Sequence, residues 1–279
     1  MRQTFLLEEY SLDAMVSASL ALLRKHEPAG GYHGCFSGGK DSIVIKQLAL
    51  EAGVSVEWHY NVTTLDPPEV VHFIRREHPD VVFDRPKHGN FFARMEVKGP
   101  PTRRARWCCA EYKEAASPKD ALLILGIRGE ESPRRANMWS EVHTHTRTGI
   151  TAVLPILRWG KLHVWDFIYD REMPYCSLYD EGFDRLGCVG CPMAGREGRV
   201  REFARWPKYE RMWKRSFERI WTRRAGTTRR DGLEWFGSAF FRCWEEMWDW
   251  WMSDDGLPVE DESQCAWDFD PDHESEEGW

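Results

Sequence analysis

The sequence predicts an α/β fold: a mostly parallel sheet with helices on both faces, followed by a helical C-terminal cap. Three observations carry this. Short runs of strand character alternate with segments of helical period, a Ser-Gly-Gly bend separates the first strand from its helix, and arginine and tryptophan take over near residue 196. A chain of 279 residues exceeds the ~100–200 of a single domain, so one main domain with an appendage is expected.

Between residues 9 and 25 the apolar side chains of Leu12, Met15, Val16, Leu20 and Leu23 recur at helical spacing, and Glu27-Pro28-Ala29-Gly30-Gly31 ends the pattern. Strand character follows at 32–36, 54–62, 81–84 and 122–127, with helical segments at 42–52 and 67–78 between. Residues 196–230 hold 13 Lys/Arg against four Asp/Glu, with Trp206, Trp213 and Trp221 among them. A second aromatic block runs over 235–251, and both blocks read as helical. From 254 onward there are 11 Asp/Glu and no Lys/Arg. The expected division is therefore 1–195, the main α/β domain; 196–253, a helical subdomain; and 254–279, an acidic tail.

Taking the 11 tail carboxylates from the total of 45 leaves 34 against 38 basic residues, so residues 1–253 carry about +4. No run of ~18 apolar residues is present to span a bilayer, and the N-terminus is acidic where a signal peptide is apolar. A cytoplasmic protein without a membrane partner is expected. In that compartment eight cysteines point to metal binding or catalysis rather than to disulfides.

The segment GYHGCFSGGKDSIVIKQLALEAG places a glycine bend between a strand and a helix that starts near Lys40. Unpaired amides and the helix dipole make such a junction an anion site. Gly38 and Gly39 let the backbone approach a phosphate, Ser37 and Ser42 add hydroxyls, and Lys40 adds charge. Asp41 orients the loop, holds Mg²⁺, or only caps the helix. The Walker pattern G-x-x-x-x-G-K-[ST] is absent.

Cys108-Cys109 and Cys188-x-x-Cys191, with 78 residues between Cys109 and Cys188, form two close pairs that together can make a four-sulfur site. Adjacent cysteines are unusual for structural zinc. Arg103, Arg104, Arg106, Lys113 and Arg185 nearby in sequence are cations that stabilise thiolates. Cys35, Cys176, Cys243 and Cys265 have no comparable partner and read as packing residues. Further on, LGIRGEESPRR at 125–135 leaves a strand for a cationic loop, the position where open α/β sheets bind ligands. Gly126, Arg128 and Arg134 are its candidate site residues, the arginines as bidentate oxyanion ligands.

Ser37-Gly38-Gly39-Lys40-Asp41-Ser42 resembles the PP-loop of the adenine nucleotide α-hydrolase superfamily. The cysteine pattern and the Gly-Ile-Arg stretch resemble the iron-sulfur branch of the phosphoadenylylsulfate (PAPS) reductase family, over roughly residues 30–195. The resemblance implies a Rossmann-like PP-loop domain, a bound ATP, adenylylsulfate or PAPS, and a [4Fe-4S] cluster on Cys108, Cys109, Cys188 and Cys191. In it Trp165, Phe167 and Tyr179 read as core. Two stretches depart from the family: 63–68 reads TTLDPP where Leu-Asp-Thr-Gly is usual, leaving Asp66 as a ribose or Mg²⁺ ligand or a helix cap, and the catalytic Glu-Cys-Gly-[IL]-His is replaced by SQCAW at 263–267.

Those departures favour an ATP-using sulfurtransferase, similar to the subunit that inserts sulfur in DNA phosphorothioation, with Lys40, Asp41, Arg128 and Arg134 catalytic. The other readings are a sulfonucleotide reductase using a thiol reductant or Cys265, and a nucleic-acid-binding protein with structural zinc. Residues 196–230 suit either a nucleic-acid backbone with stacked bases or a helix docking its tryptophans on the core. A sulfur-donor protein is the remaining expected partner.

Overall fold

The computed structural model describes residues 11–253, apart from 115–116, 119, 133–136, 146–148 and 229–239. In chain order its main elements are α1 (Leu12–His26), β1 (Tyr32–Cys35), α2 (Lys40–Ala52), β2 (Val56–Asn61), α3 (Pro68–Glu77), β3 (Val82–Asp84) and α4 (Phe91–Lys98). Then come β4 (Leu123–Ile124), β5 (Val142–Thr144), β6 (Thr151–Val153), α5 (Lys161–Asp170), α6 (Gly195–Arg205), α7 (Pro207–Arg224) and α8 (Trp244–Ser253). The described residues divide into two compact units, one within 11–86 and 112–187, the other within 87–111 and 188–253.

The first unit holds a six-stranded sheet in the order β3-β2-β1-β4-β6-β5. Every pairing is parallel except β5 with β6. This is a Rossmann-like arrangement, and a strand order that reverses direction around β1 puts the end of β1 at the point where such sheets bind ligands. The β5–β6 hairpin was not visible in the sequence, because three-residue strands carry too little alternation to register as a period.

α1, α2 and α5 pack against one another, with Leu23, Val44, Ile45, Leu48, Phe167 and Ile168 fully buried. The Tyr32 hydroxyl donates to Leu23 O at 2.7 Å, tying β1 to α1, and burial followed by the charge of Glu27 pushes its phenol up to about 12. Gly34 on β1 is required by packing, since a Cβ there would lie 2.3 Å from the Trp58 ring. The opposite register of β1 and β2 is polar: His33 stacks on His59 at 4.1 Å, and His59 Nδ1 lies 2.9 Å from Asp84 Oδ2.

The second unit is an aromatic bundle. Trp213 of α7 is wholly buried, with ring centroids 5.2 Å from Phe91 and 4.6 Å from Trp251; Phe91 also stacks on Trp107 at 5.4 Å. Arg199 is buried among them and donates to Pro192 O at 3.2 Å and to Trp251 O at 3.0 Å, satisfying a carbonyl near the end of α8. The largely buried carboxylate of Glu96 on α4 receives Arg219 at 3.1 Å and Arg223 at 2.8 Å from α7.

Among the described residues the units do not divide at 195. Residues 87–111 leave the sheet unit because Phe91, Phe92 and Trp107 complete the aromatic core around Trp213, and 188–195 join the same unit. Contacts between segments a hundred residues apart cannot be read from local composition. The residues of the acidic tail lie outside those described.

Candidate active site

β1 ends at Cys35, and the chain turns through Phe36-Ser37-Gly38-Gly39 into α2. Gly38 has φ 71°, a left-handed conformation that glycine adopts without strain, and it fits against α3: a Cβ would lie 2.9 Å from Ile74 and 3.0 Å from Val70. Gly39 is the N-cap of α2 and offers no side chain, so the first amides of the helix are not capped by their own residue. Ser42 Oγ donates to Gly39 O at 2.8 Å and stands 3.2 Å from Ser37 Oγ, which accepts from Gly39 N at 3.4 Å. The two hydroxyls therefore brace the bend from inside.

The charges around the bend form one network. Lys40 and Arg128 are 4% and 5% exposed, and both reach Asp41: Lys40 Nζ at 3.1 Å from Oδ2, Arg128 Nε at 2.6 Å from Oδ1. Arg128 Nη1 also donates to Glu130 Oε2 at 2.7 Å, and the same oxygen accepts the amide of Lys161 at the start of α5 at 2.6 Å. Gly126 lies directly on α2, where a Cβ would come within 3.0 Å of the Asp41 backbone. Lys40, Asp41, Gly126 and Arg128, distant in sequence, thus converge on the first turn of one helix. Lys40 Nζ also lies 3.4 Å from Asp184 O.

Tyr179 reaches the same place. Its hydroxyl accepts from Lys40 N at 2.8 Å, while Lys40 Nζ sits 5.8 Å from its ring centroid. Burial first, and then the neighbouring Asp41, raise its phenol well above the ordinary value. Sequence reasoning assigned Tyr179 to the core and gave no role to Glu130 or Asp184. A tyrosine three residues after a buried Cys176 carries no local mark of the loop it meets 139 residues upstream. Phe167 is core, as expected, whereas Trp165 is only half-buried.

Both oxygens of Asp66 face Thr63, with Oδ2 accepting its amide and Oδ1 its hydroxyl, each at 2.8 Å. Asp66 therefore closes the turn that leaves β2. Asp41 and Asp66, the carboxylates weighed for Mg²⁺, both have their oxygens in hydrogen bonds within the protein. Arg134 and Cys265 lie outside the described residues.

The four cysteines Cys108, Cys109, Cys188 and Cys191 all belong to the second unit. Cys108 and Cys109 sit on the helical turn Trp107–Cys109, and the Cys188–Cys191 bend closes with Cys191 N donating to Cys188 O at 3.2 Å. A hydrogen bond with Cys109, burial, and the charges of Cys109, Cys188 and Cys191 together raise the Cys108 thiol far above its usual value. The other three thiols thus all act on Cys108, the situation that binding to a positive centre relieves. Among the described residues no group of three or more His, Cys, Asp or Glu is arranged for a single metal ion. A tetrahedral ion needs its sulfurs roughly 3.8 Å apart, from metal–sulfur bonds of ~2.3 Å; a multi-iron cluster carries its ligands further out.

The bend itself is tightly fixed. Gly190 has φ 81°, and a Cβ there would lie 2.6 Å from Trp213 Nε1, which donates to Val189 O at 3.1 Å. Glu202 on α6 accepts Gly190 N at 2.6 Å; burial raises its carboxyl to about 7 against the bonds from Gly190 and Cys191 and the charge of Arg199. Trp206 and Trp213 are buried in this unit's core, so neither ring is presented to a stacked base.

The phosphoadenosine phosphosulfate reductase domain matches residues 33–194, more than half of the 279-residue chain. The chain belongs to this family. The matched stretch runs from β1 to the Cys188–Cys191 bend and so takes in the whole loop network. The chain is 34% identical over 192 residues to an uncharacterized protein of Methanocaldococcus jannaschii, covering 63% of this chain and 40% of the relative. It is 34% identical over 106 residues to the phosphoadenosine 5'-phosphosulfate reductase of Gloeobacter violaceus, covering 36% of this chain and 43% of that one. The chain thus spans about two fifths of the length of these relatives. Among solved structures, the PAPS reductase of Candida auris in its phosphate complex superposes with a TM-score of 0.49 at 14% identity, over 64% of this chain and 95% of that one. No described helix of the chain is long and apolar enough to cross a membrane.

Proposed function

We propose that this PAPS reductase-family chain binds the phosphates of ATP at residues 37–42 and uses the nucleotide to drive sulfur transfer, with cleavage between the α and β phosphates. The observation that carries the reading is the pair of buried cations, Lys40 and Arg128, sharing Asp41 at the glycine-capped start of α2. Asp41 and Glu130 balance the two cations in number and hold them beside the N-terminal end of α2, whose dipole favours an anion, in a site largely removed from water. There an oxyanion gains more than it would in solvent.

In the reaction proposed, an acceptor hydroxyl oxygen attacks the α phosphorus of ATP, its proton leaves to solvent, and the bond to pyrophosphate breaks. Lys40 and Arg128 neutralise the charge that gathers on the departing pyrophosphate. A nucleophilic sulfur from a donor protein or thiol then displaces AMP from the adenylylated acceptor, forming the bond to sulfur as the bond to oxygen breaks. Asp41 holds both cations in place, and Gly38 and Gly39 give the phosphates access to the backbone. Mg²⁺, carried in by the nucleotide, would be bound by its phosphates.

Cys108, Cys109, Cys188 and Cys191 are the residues proposed to hold a [4Fe-4S] cluster. When bound, such a cluster supplies redox chemistry tuned by its surroundings. Glu202 and Trp213 fix the backbone of the Cys188–Cys191 bend on which two of the four sulfurs ride. The second unit adds an exposed cationic face on α7, formed by Lys208, Arg211, Arg215, Arg219 and Arg223, and a nucleic-acid acceptor would meet its phosphates there.

The relatives named as reductases favour a second reading, reduction of PAPS or adenylylsulfate to sulfite by an external thiol. One experiment separates the two. Anaerobically purified protein is analysed for iron and sulfide and then incubated with ATP, adenylylsulfate or PAPS in the presence of a thiol. Pyrophosphate and AMP from ATP, abolished in Lys40→Ala, support sulfur transfer. Sulfite from either sulfonucleotide replaces that reading with the reductase. Turnover unchanged in Lys40→Ala removes the loop assignment, and full iron retention in Cys108→Ser or Cys191→Ser removes the cysteine grouping.

A further inference from the structure

A recess of about 240 Å³ opens on the first unit, walled by Trp165 and Tyr169 of α5 and by Tyr175 and Tyr179 of the segment after it. Trp165 and Tyr169 are four residues apart, so they share one helix face and stack at 5.6 Å with an interplanar angle of 22°. Tyr175 and Tyr179 meet Trp165 at 84° and 88°, with centroids 5.3 and 5.1 Å away. The ring planes therefore stand at right angles and enclose a corner. Tyr169 is 61% exposed, an unusual position for a large aromatic ring that packs only to fill a core.

The charges at the rim have one sign in excess. Asp180 accepts from the Tyr175 hydroxyl at 3.1 Å, and Asp184 pairs with Lys161 at 2.6 Å. Among the residues that line the recess, two carboxylates stand against one ammonium, while Lys40, which does not line it, lies 5.8 Å from the Tyr179 centroid; aromatic rings add the negative side of their quadrupoles. With its volume below the ~300 Å³ of a drug-sized site, the recess suits a head group rather than a whole cofactor. We propose that this recess binds an organic cation, an alkylated ammonium group, through cation–π contacts with Trp165, Tyr169, Tyr175 and Tyr179 and the charge of Asp180 and Asp184. The recess shares Tyr179 with the nucleotide loop, but none of residues 37–42 lines it, and the proposal stands whether or not the loop binds ATP.

Titration calorimetry of the full chain with choline and with its uncharged isostere 3,3-dimethylbutan-1-ol tests it. Choline is expected to bind, and the isostere at least tenfold more weakly, since shape is kept and charge removed. Tyr169→Ala should weaken choline about 2–5-fold and Trp165→Ala about tenfold or more; should Trp165→Ala fail to fold, the exposed Tyr169 decides. Asp180→Asn, which keeps the side-chain shape, should weaken choline but leave the isostere unchanged. Absence of choline binding, equal binding of the two compounds, or choline affinity unmoved by Tyr169→Ala each overturns the proposal.

Discussion

Replacing Gly38 by alanine separates two physical costs that the phosphate loop combines. The residue has φ 71°, where an L side chain loses roughly 1–2 kcal/mol. Its new Cβ would also stand 2.9 Å from Ile74 and 3.0 Å from Val70, and because both neighbours are buried on α3, they yield only by overpacking, at roughly 1–3 kcal/mol. The sum is a loss of roughly 2–5 kcal/mol. Two other glycines serve as controls. Gly53 has the same φ of 71° with nothing within 4 Å, so Gly53→Ala should lose only the backbone part, roughly 1–2 kcal/mol. Gly30 has neither positive φ nor a near neighbour, and Gly30→Ala should be neutral or gain up to ~1 kcal/mol through the unfolded chain. Urea unfolding of the three variants gives the differences directly, and ATP titration of Gly38→Ala reads the loop itself, where weaker binding is expected. A Gly38→Ala protein as stable as Gly53→Ala would refute the contact with α3 and the packing of the loop built on it.

Trp213→Ala should destabilise the second unit by roughly 3–5 kcal/mol and, by removing the donor to Val189 O, speed alkylation of Cys188 and Cys191 by iodoacetamide. Asp66→Ala strips Thr63 of the carboxylate that accepts its amide and hydroxyl and should cost roughly 1–3 kcal/mol in urea unfolding, with Asp66→Asn milder. Stability should also fall with acid through His78, whose pKa burial and the adjacent Lys46 lower from 6.5 to about 4. The folded chain keeps this ring neutral while the unfolded chain protonates it. Its contribution is therefore complete above pH 6.5, declines as pH falls toward about 4, and is lost from the pH profile in His78→Gln, as thermal melts would show.

What the sequence determined by itself is whatever rests on neighbours along the chain. The bend of Ser37, Gly38 and Gly39, the helix that starts at Lys40, the strands at β1 to β4 and the closeness of Cys188 to Cys191 all follow from local backbone geometry and short-range periodicity. Arg128 stood out because it leaves a strand within a cationic stretch. The tertiary structure decided which distant groups meet. It brought Arg128 and Tyr179 to the first turn of α2, committed Asp66 to its own turn, and grouped residues 87–111 with the C-terminal helices. It also turned Trp206 and Trp213 inward while leaving Trp165 and Tyr169 around an open recess. The reason is one of range: a local pattern fixes how a segment folds, but charges and aromatic faces find partners through packing, and no spacing along the chain records which partner satisfies them.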